Sequence, residues 1–324
     1  MPSSTEPIVE SIHIYPIKSC HSIELKECKV GNLGIEHDRR FMIVEAKTNK
    51  TITQRKYASL SILYPLVNPE TNTLTLTAQG QDPLSLPLTQ DLSKLSKRSV
   101  SLWKDTLTVY DLGDEASRWL TQFLVNHRQS DQENSHNPDD PVKDDDPIPE
   151  ARLVTLEDPE HKVYSRPAHP NLPGIHSPFA DWSPISFGFT ASLEHVNQGL
   201  IETGISKGNQ IPMSRFRNNI TISGTVPWEE DQWLVVRIGQ VTLYIIQPIA
   251  RCTVPGIDQD TGKKDAWDGK GPTDYLKIRR QFKDEPGQGQ FCCDVVPLTS
   301  GKICVGDTIQ VLERIPKEYQ QFPI

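Results

Sequence analysis

Cys252 is the residue whose surroundings most favour chemistry. It follows Arg251 at the end of a strand-like run and precedes a loop rich in Pro, Gly and Asp, in the segment IARCTVPGIDQDTG. A guanidinium beside a cysteine favours the thiolate, the form that attacks as a nucleophile or binds a metal. An unpaired cysteine is otherwise often a small buried hydrophobic residue. From this segment alone, both interpretations stay open.

Other kinds of thiol chemistry find little support in the sequence. The chain has six cysteines, with no CxxC pair and no cysteine and histidine at zinc-like spacing. A cysteine protease would need a histidine in a recognisable family signature around Cys252, and none is visible. Cys292 and Cys293 lie in a strand-like segment, where successive side chains point to opposite faces. We interpret this pair as structural.

Two further groups of polar residues could bind an anion. Lys18 and Ser19 directly follow a strand-like run. Arg40 precedes the apolar run FMIV, and Arg217 lies in the segment SRFRNNI. Arginine offers a planar fork and lysine a point charge to a phosphate group. Cations at strand ends are otherwise solvated, so the sequence leaves both interpretations open.

The overall charge argues against one large class of ligand. The 324 residues carry a formal net charge of −8, whereas a nucleic-acid-binding protein needs an excess of lysine and arginine presented together. A local basic pocket is compatible with this balance. No segment approaches the roughly 20 apolar residues of a membrane span, and the amino-terminal residues lack the pattern of an export signal. We therefore expect a cytoplasmic protein with reduced thiols.

Short alternating strands dominate the first part of the chain. Segments that alternate β-branched or aromatic residues with polar ones lie at 8–16, 39–46, 72–78 and 105–112. From 115 to 127, apolar residues recur at helical spacing. We predict a β-rich lobe over 5–127, closed by this helix.

The next segment, 128–150, is rich in Asp, Asn, Pro and Gln and almost free of apolar residues. Such a composition cannot bury enough apolar surface to order a chain, so we predict a flexible acidic loop. Its charge could dock a basic partner, or it could be a solvated surface only.

A second lobe is predicted over 151–315. It opens with the strand-like segment SPISFGF, continues with a helix from about 190 to 204, and resumes as strands in NITISG, WLVVRIG, VTLYIIQP and TIQVLER. A short helix is expected within 271–282. The predicted fold class is therefore mainly β with some α.

Six segments in a fixed order together resemble one known family. They are IYPIKSC, DRRF, SPISFG, SRFRNNI, ARCTVPGIDQDTG and GKICVGDTIQVL. Each is weak alone, but their shared order and spacing over nearly the full length make the resemblance specific. The chain resembles the MOSC-domain proteins and, among them, the amidoxime-reducing components.

The resemblance implies two β-barrel lobes with a molybdenum cofactor, Mo-molybdopterin, in the cleft between them. Cys252 matches the metal-binding cysteine of the family, and a thiolate is a soft donor suited to such a metal. The matched positions that would contact the cofactor are Lys18, Ser19, Arg40, Ser183, Arg217, Asn219, Arg251 and Cys252. Trp182, Ala250 and Phe291 differ from the residues usual in the family.

The resemblance also implies an activity, the two-electron reduction of N-hydroxylated compounds such as amidoximes and hydroxylamines to amines, with nitrite as a further substrate. Cys252 would hold the metal. Asp258 lies where the family also carries an acid and could relay protons or orient a basic amidoxime, although a loop carboxylate is as often a turn former. No NAD fingerprint, flavin site or iron–sulfur cysteine cluster is visible, so electrons would come from another protein. By resemblance these donors are cytochrome b5 and NADH-cytochrome b5 reductase.

Two alternatives of a different class stay open at this point. The same domain forms the carboxyl-terminal part of molybdenum-cofactor sulfurases, so the chain could handle or carry the cofactor. It could also store molybdopterin without turnover. By resemblance to the mitochondrial proteins, peripheral association with mitochondria is an alternative to a purely cytoplasmic location.

Overall fold

A computed structural model gives the fold of the chain. The residues that it describes are 6–135, 141–143, 145–156, 166–167, 176–283, 286–320 and 323.

The elements of the first half confirm the predicted alternation of short strands. In chain order they are β1 (Ile8–Ile14), β2 (Ile23–Leu25), β3 (Glu27–Gly31), β4 (Gly34–Ile35), β5 (Phe41–Glu45), β6 (Tyr64–Asn68), β7 (Thr73–Ala78), β8 (Gln81–Pro87), β9 (Ser96–Leu102), β10 (Asp105–Asp111), α1 (Asp114–Asn126) and α2 (Arg128–Asn134). Short 3-10 helices add Ala58–Ile62 and Leu92–Lys94.

The second half continues in the same style. Its elements are β11 (Ala151–Thr155), β12 (Arg166–Pro167), β13 (His176–Ser177), β14 (Ile185–Phe189), α3 (Thr190–Glu202), β15 (Ile220–Ser223), β16 (Trp233–Ile238), β17 (Val241–Ala250), α4 (Pro272–Arg279), β18 (Gln290–Pro297), β19 (Gly301–Cys304) and β20 (Ile309–Arg314). Short 3-10 helices add Met213–Phe216, Glu229–Gln232, Val254–Gly256 and Lys317–Tyr319.

One eight-stranded sheet organises the second lobe. Its strand order is β2-β1-β15-β14-β18-β17-β16-β20. Only the β14–β15 pair runs parallel, and α3 connects these two strands, because parallel neighbours need a crossover. The strand β18 is buried along Gln290–Val296, since it lies between β14 and β17. The main core packs on this sheet and includes Phe187, Phe189 and Trp233.

A four-stranded sheet, β5-β11-β10-β9, organises the first lobe. Both faces of β5 are covered, which explains its unbroken apolar run. Phe41 and Ile43 belong to a core that also contains the apolar face of α1, whereas Met42 and Val44 belong to a second core behind the sheet. The sheet β6-β7-β8 closes the first of these cores, through Leu74 and other residues.

Strand pairing does not follow the predicted division of the chain at residue 151. The strand β11, which lies within the range predicted for the second lobe, pairs with β5 and β10 of the first. Its Leu153 packs in the same core as α1, and its Val154 packs behind the sheet. Conversely, β1 pairs with β15 of the second lobe. The two lobes are therefore interleaved along the chain.

The predicted flexible loop over 128–150 is wrong for its first seven residues, which form the helix α2. Asp131 explains why this polar segment is ordered, since its carboxylate is fully buried. Its two oxygens accept hydrogen bonds from the backbone N–H and the hydroxyl of Ser59, both at 2.8 Å. Residues 136–140 and 144 of the predicted loop lie outside the described residues.

Candidate functional site

A cavity of about 220 Å³ lies where the two lobes meet. The first lobe contributes the turn after β1, the loop 53–55 and Trp103 at the β9–β10 turn. The second contributes the loops before β14 and β15 and the loop after β17. Of the residues predicted from the sequence, those on its wall are Lys18, Ser19, Ser183, Arg217, Asn219, Arg251 and Cys252. Residues far apart in the chain are therefore brought together as predicted.

Cys252 is the exposed thiol of this cavity. It follows the last residue of β17 by two positions, and its backbone carbonyl accepts a hydrogen bond of 2.8 Å from the Thr273 hydroxyl. That bond ties the loop to α4. Cys292 and Cys293, on the strand β18, are buried, and burial raises the pKa of the Cys292 thiol to about 11 and that of the Cys293 thiol well above its usual value. Cys252 is thus the thiol available for a ligand.

The Arg251 side chain lies along the cavity wall. Its Nε donates to the carbonyl oxygen of Phe291 at 2.9 Å, and its guanidinium lies 5.3 Å from the centre of the Phe216 ring. Its charge also opposes the burial that raises the pKa of Cys292. Its Nη2 atom is buried and has no hydrogen-bond partner among the described residues. The contacts of Arg251 are thus with β18 and Phe216, although Cys252 is its neighbour in sequence.

Positive charge predominates on the cavity wall. The six cationic side chains are Lys18, Arg39, Arg55, Arg215, Arg217 and Arg251, against two carboxyl groups, those of Asp181 and Asp294. The chain as a whole carries −8. This local excess of cations gives the cavity an affinity for anions that the total charge does not suggest.

Arg39 and Arg217 are held together around one aromatic ring. Their guanidinium carbons lie 4.3 Å and 4.4 Å from the centre of the Tyr15 ring. The Arg39 Nη2 donates to the Arg217 carbonyl at 2.9 Å, and the Arg217 Nη1 donates to Gln259 at 3.0 Å. Ser19, Arg39 and Arg217 all have left-handed φ angles, of 71°, 46° and 55°. Such strained backbone is concentrated at binding sites because surrounding contacts must enforce it.

The structure corrects the expectation for Arg40, because Arg39 lies on the cavity wall and Arg40 is not among the residues that line it. The backbone carbonyl of Arg40 accepts a hydrogen bond from the Thr155 hydroxyl, 3.2 Å away, in the first-lobe sheet. The left-handed backbone at Arg39 turns its side chain towards Arg217. Two adjacent arginines cannot be told apart from the sequence alone.

Asn219 joins three segments of the eight-stranded sheet at the cavity. Its Oδ1 accepts the backbone N–H of Ser186 at 3.1 Å, and its Nδ2 donates to the carbonyl of His13 at 3.1 Å. The turn before it packs closely on β14 because Gly188 has no side chain. A Cβ at Gly188 would lie 2.7 Å from Met213 and 2.8 Å from Asn218. The predicted contact residue therefore also positions the loop that carries Arg217.

Asp258 lies behind the cavity wall instead of on it. Its Oδ1 accepts two backbone N–H groups of the turn 260–261 and the Thr261 hydroxyl, and its Oδ2 lies 3.2 Å from Arg215 Nη2. Burial alone would raise the pKa of Asp258, but the bonds from Thr261 and the charge of Arg215 outweigh it and hold the pKa below its usual value. These contacts fit a turn-forming carboxylate that holds Arg215, and they give no support to a proton relay.

Two functional candidates were not predicted from the sequence. Asp181 accepts hydrogen bonds from Lys18 and from Trp103 Nε1, the latter 3.2 Å away, and so ties the two lobes together at the cavity mouth. Asp294 is 5 % exposed on β18 and faces the cavity. The sequence does carry one sign of Asp294, the single acidic residue within the apolar run FCCDVV, because an acidic residue in a fully buried strand is rare without a role.

No helix in the described part of the chain has the length and apolar character needed to cross a membrane.

Comparison with known proteins bears on the whole arrangement. The family model "MOSC N-terminal beta barrel domain" matches residues 6–127, and "MOSC domain" matches 176–310. The relatives include "Mitochondrial amidoxime reducing component 2" of Bos taurus, 30% identical over 84% of this chain and 72% of the relative, and its counterpart in Rattus norvegicus, 28% identical over 84% and 72%. They also include "Molybdenum cofactor sulfurase" of Homo sapiens, 25% identical over 79% of this chain. That match spans only 27% of the sulfurase. The chain thus belongs to the MOSC-domain family, with the family's two β-rich lobes meeting at the cavity that carries Cys252.

Proposed function

We propose that the protein is a molybdenum-cofactor enzyme that reduces N-hydroxylated compounds, such as amidoximes and hydroxylamines, to amines. The observation that carries the proposal is the exposed Cys252 thiol on the wall of a cavity lined by six cations. The relatives named for amidoxime reduction and for the molybdenum cofactor support the same site.

The residues present fit Mo-molybdopterin. The cofactor carries a phosphate, and Lys18, Arg39, Arg217 and Arg251 supply the charged N–H donors that phosphate recognition needs. The Nη2 of Arg251 agrees with this fit, because a buried N–H without a partner among the described residues costs free energy that an acceptor on a ligand would recover. Cys252 supplies the soft sulfur donor for the metal.

When bound, the cofactor would supply the two-electron chemistry at its metal. The chain would bind and orient it. Arg39 and Arg217, fixed by Tyr15 and by each other, would hold the phosphate end. The loop that carries Cys252, anchored to α4 by Thr273, would fix the metal end. Trp103 and Trp182, half exposed at the mouth, would limit the access of water.

The electrons are proposed to come from cytochrome b5 and its NADH-dependent reductase, with nitrite as a further substrate. Resemblance to the relatives named as mitochondrial amidoxime reducing components supports this choice of electron donors. The same relatives are the reason for including a location at mitochondria, as well as in the cytoplasm, in the proposal.

The test is turnover of a defined substrate. The full chain, purified from a host that makes the cofactor, is mixed with NADH, cytochrome b5, its reductase and benzamidoxime. We expect benzamidine to form in step with NADH oxidation. Omission of the protein, or of its cofactor, is the matched control and should abolish product formation. Bound molybdenum and pterin without any benzamidine would contradict the proposed reductase.

A second candidate is a cofactor-handling role, favoured by one observation. The sulfurase of Homo sapiens matches 79% of this chain with 27% of its own length, so this part of the sulfurase corresponds to the lobes described above. A protein of this kind would bind the cofactor and release it to an acceptor apoenzyme. The two candidates separate in the same assay, since a carrier shows binding and transfer of cofactor without benzamidine.

A further inference from the structure

The Asp294 carboxyl group has an unusual set of partners. Its Oδ1 lies 2.7 Å from the Ser183 hydroxyl oxygen, and that same oxygen lies 2.6 Å from the carbonyl oxygen of Ile185. The backbone N–H of Val295 donates to the hydroxyl oxygen from 3.3 Å. Ser183 therefore has two close oxygen neighbours, both buried with it.

The two short contacts of the Ser183 hydroxyl favour a protonated Asp294. A hydroxyl carries one hydrogen, and a carbonyl oxygen can only accept. Ser183 can therefore donate to only one of its two oxygen neighbours at a time, and a hydrogen on the carboxyl group of Asp294 would satisfy the other contact. With an ionised Asp294, one of the two contacts, at 2.6 Å or 2.7 Å, would join two oxygens with no proton between them in a buried site.

The charges around Asp294 agree with a neutral acid. No ion pair formed within the described residues includes Asp294, and the nearby Arg251 directs its Nε to Phe291. The groups that act on Asp294 from the packed elements are Ser183, Arg251, Asp181 and Gln247. Burial raises the pKa of Asp294 to about 6, against the hydrogen bond of Ser183 and the charge of Arg251, with Asp181 adding to the rise and Gln247 opposing it.

Asp294 also belongs to a polar row across the sheet. It lies directly opposite Ser186 on β14 and Gln247 on β17, and side chains at paired positions share a face. Ser186 Oγ is 3.3 Å from Oδ1 of Asn219. Asn219, Ser186 and Asp294 line the cavity, whereas Gln247 lines a neighbouring one of about 420 Å³. The row gives Asp294 polar neighbours on both sides, on the same face of the sheet.

We propose that Asp294 is the acid that delivers a proton to the oxygen released from the substrate in the cavity. The inference rests on the proposed reductase function. Reduction of R–NH–OH by two electrons breaks the N–O bond and forms one N–H and one O–H bond, which takes up two protons and yields R–NH2 and water. The two electrons would be supplied by the proposed one-electron donor protein, and the bound cofactor would supply the redox chemistry. Asp294 gives the proton of the new O–H bond, solvent gives that of the N–H bond, and solvent then reprotonates Asp294.

The first test follows the carboxyl group without turnover. With aspartate labelled by 13C at the side-chain carboxyl, the full chain, with and without cofactor, is titrated by NMR. We expect one resonance to titrate near pH 6 and to disappear in Asp294→Asn. Asp131→Asn is the matched control, since Asp131 is also buried, also bonded to a serine hydroxyl, and has a pKa raised by burial to about 7, but lies outside the cavity. A carboxyl of Asp294 that titrates near pH 4 would overturn the proposal.

The second test measures single turnover of cofactor-loaded protein reduced by dithionite. The wild-type rate should fall about tenfold per pH unit above pH 6, because the donating form is lost. Asp294→Asn with equal molybdenum and pterin content should be slower by roughly 10²–10⁴-fold and independent of pH, whereas Asp131→Asn should follow wild type. A wild-type rate and pH profile in Asp294→Asn would overturn the role of Asp294. A loaded wild type that never reduces substrate would overturn the reductase function itself, and with it this role, while the NMR titration would still identify the buried acid.

Discussion

Two cavities on which the second lobe borders differ in a way that size does not explain. The larger, of about 550 Å³, lies beside α3 and α4 and is lined by Trp228, Asp231 and Arg280, among others. Arg280 there forms two bonds of 2.9 Å to Asp231 and stacks on Trp228 at 3.8 Å. Its charge is therefore neutralised by a partner within the chain.

The smaller cavity, with Cys252, has two kinds of arginine: Arg39 and Arg215 pair with carboxylates, whereas Arg217 and Arg251 have neutral partners. Arg217 donates to the amide of Gln259, and Arg251 donates to a backbone carbonyl and keeps a buried Nη2 without a partner. Neither forms an ion pair with a carboxylate among the residues that the structure describes. The comparison teaches that the two cavities differ in uncompensated charge, and this difference, not volume, is the basis for proposing the smaller one as the ligand site.

The largest expected effect comes from replacing one arginine of each cavity by alanine and comparing the two variants. Arg280→Ala should lower the free energy of unfolding by about 3–5 kcal/mol, because it leaves the Asp231 carboxylate without its partner. Its cofactor content per folded chain should stay at the wild-type level. Arg251→Ala should instead leave the free energy of unfolding nearly unchanged and weaken cofactor binding by about 1.5–3 kcal/mol, the value of one charged hydrogen bond. Denaturant unfolding, with molybdenum and pterin analysis of the folded fraction, measures both.

The comparison would break if the effects were reversed. A loss of cofactor in Arg280→Ala at equal folded fraction would place a ligand contact in the larger cavity. Full cofactor content in Arg251→Ala, together with lower stability, would make Arg251 a structural residue.

A smaller effect is expected from Asp258→Asn, because Arg215 has two carboxylate partners. It lies 3.2 Å from Asp258 and 3.1 Å from Asp265, so one carboxylate remains after the change. Turnover of benzamidoxime should fall by only a few-fold, whereas loss of a general acid or base typically costs about 10²–10⁴-fold. A loss of the larger size, with unchanged folding, would restore Asp258 as a proton relay.

The sequence predicts most elements of the fold because their apolar patterns are regular. The helix expected within 115–127 is α1 at Asp114–Asn126, and the helix from about 190 is α3 at Thr190–Glu202. The helix α2 escapes such reasoning because its seven residues, RQSDQEN, have no apolar side chain. Its order comes from the buried contact of Asp131 with Ser59, which is distant in sequence.

The site is predictable where a motif identifies the residue and unpredictable where tertiary structure decides. Cys252 and Arg217 follow from motifs and lie on the cavity wall. The choice between Arg39 and Arg40 depends on a left-handed φ at Arg39, and the sequence carries no sign of it. Asp294 becomes important only through strand register, which places it opposite Ser186 and within reach of Ser183.

The most direct test of the central claim is the molybdenum content of Cys252→Ser, measured by elemental analysis on full chain purified from a host that makes the cofactor. Cys304→Ser is the matched control, since Cys304 is partly exposed on β19 and does not line the cavity. We predict near-stoichiometric molybdenum in wild type and Cys304→Ser, and loss of most molybdenum in Cys252→Ser at equal folded fraction. Wild-type molybdenum in Cys252→Ser would contradict the assignment of this cavity as the metal site.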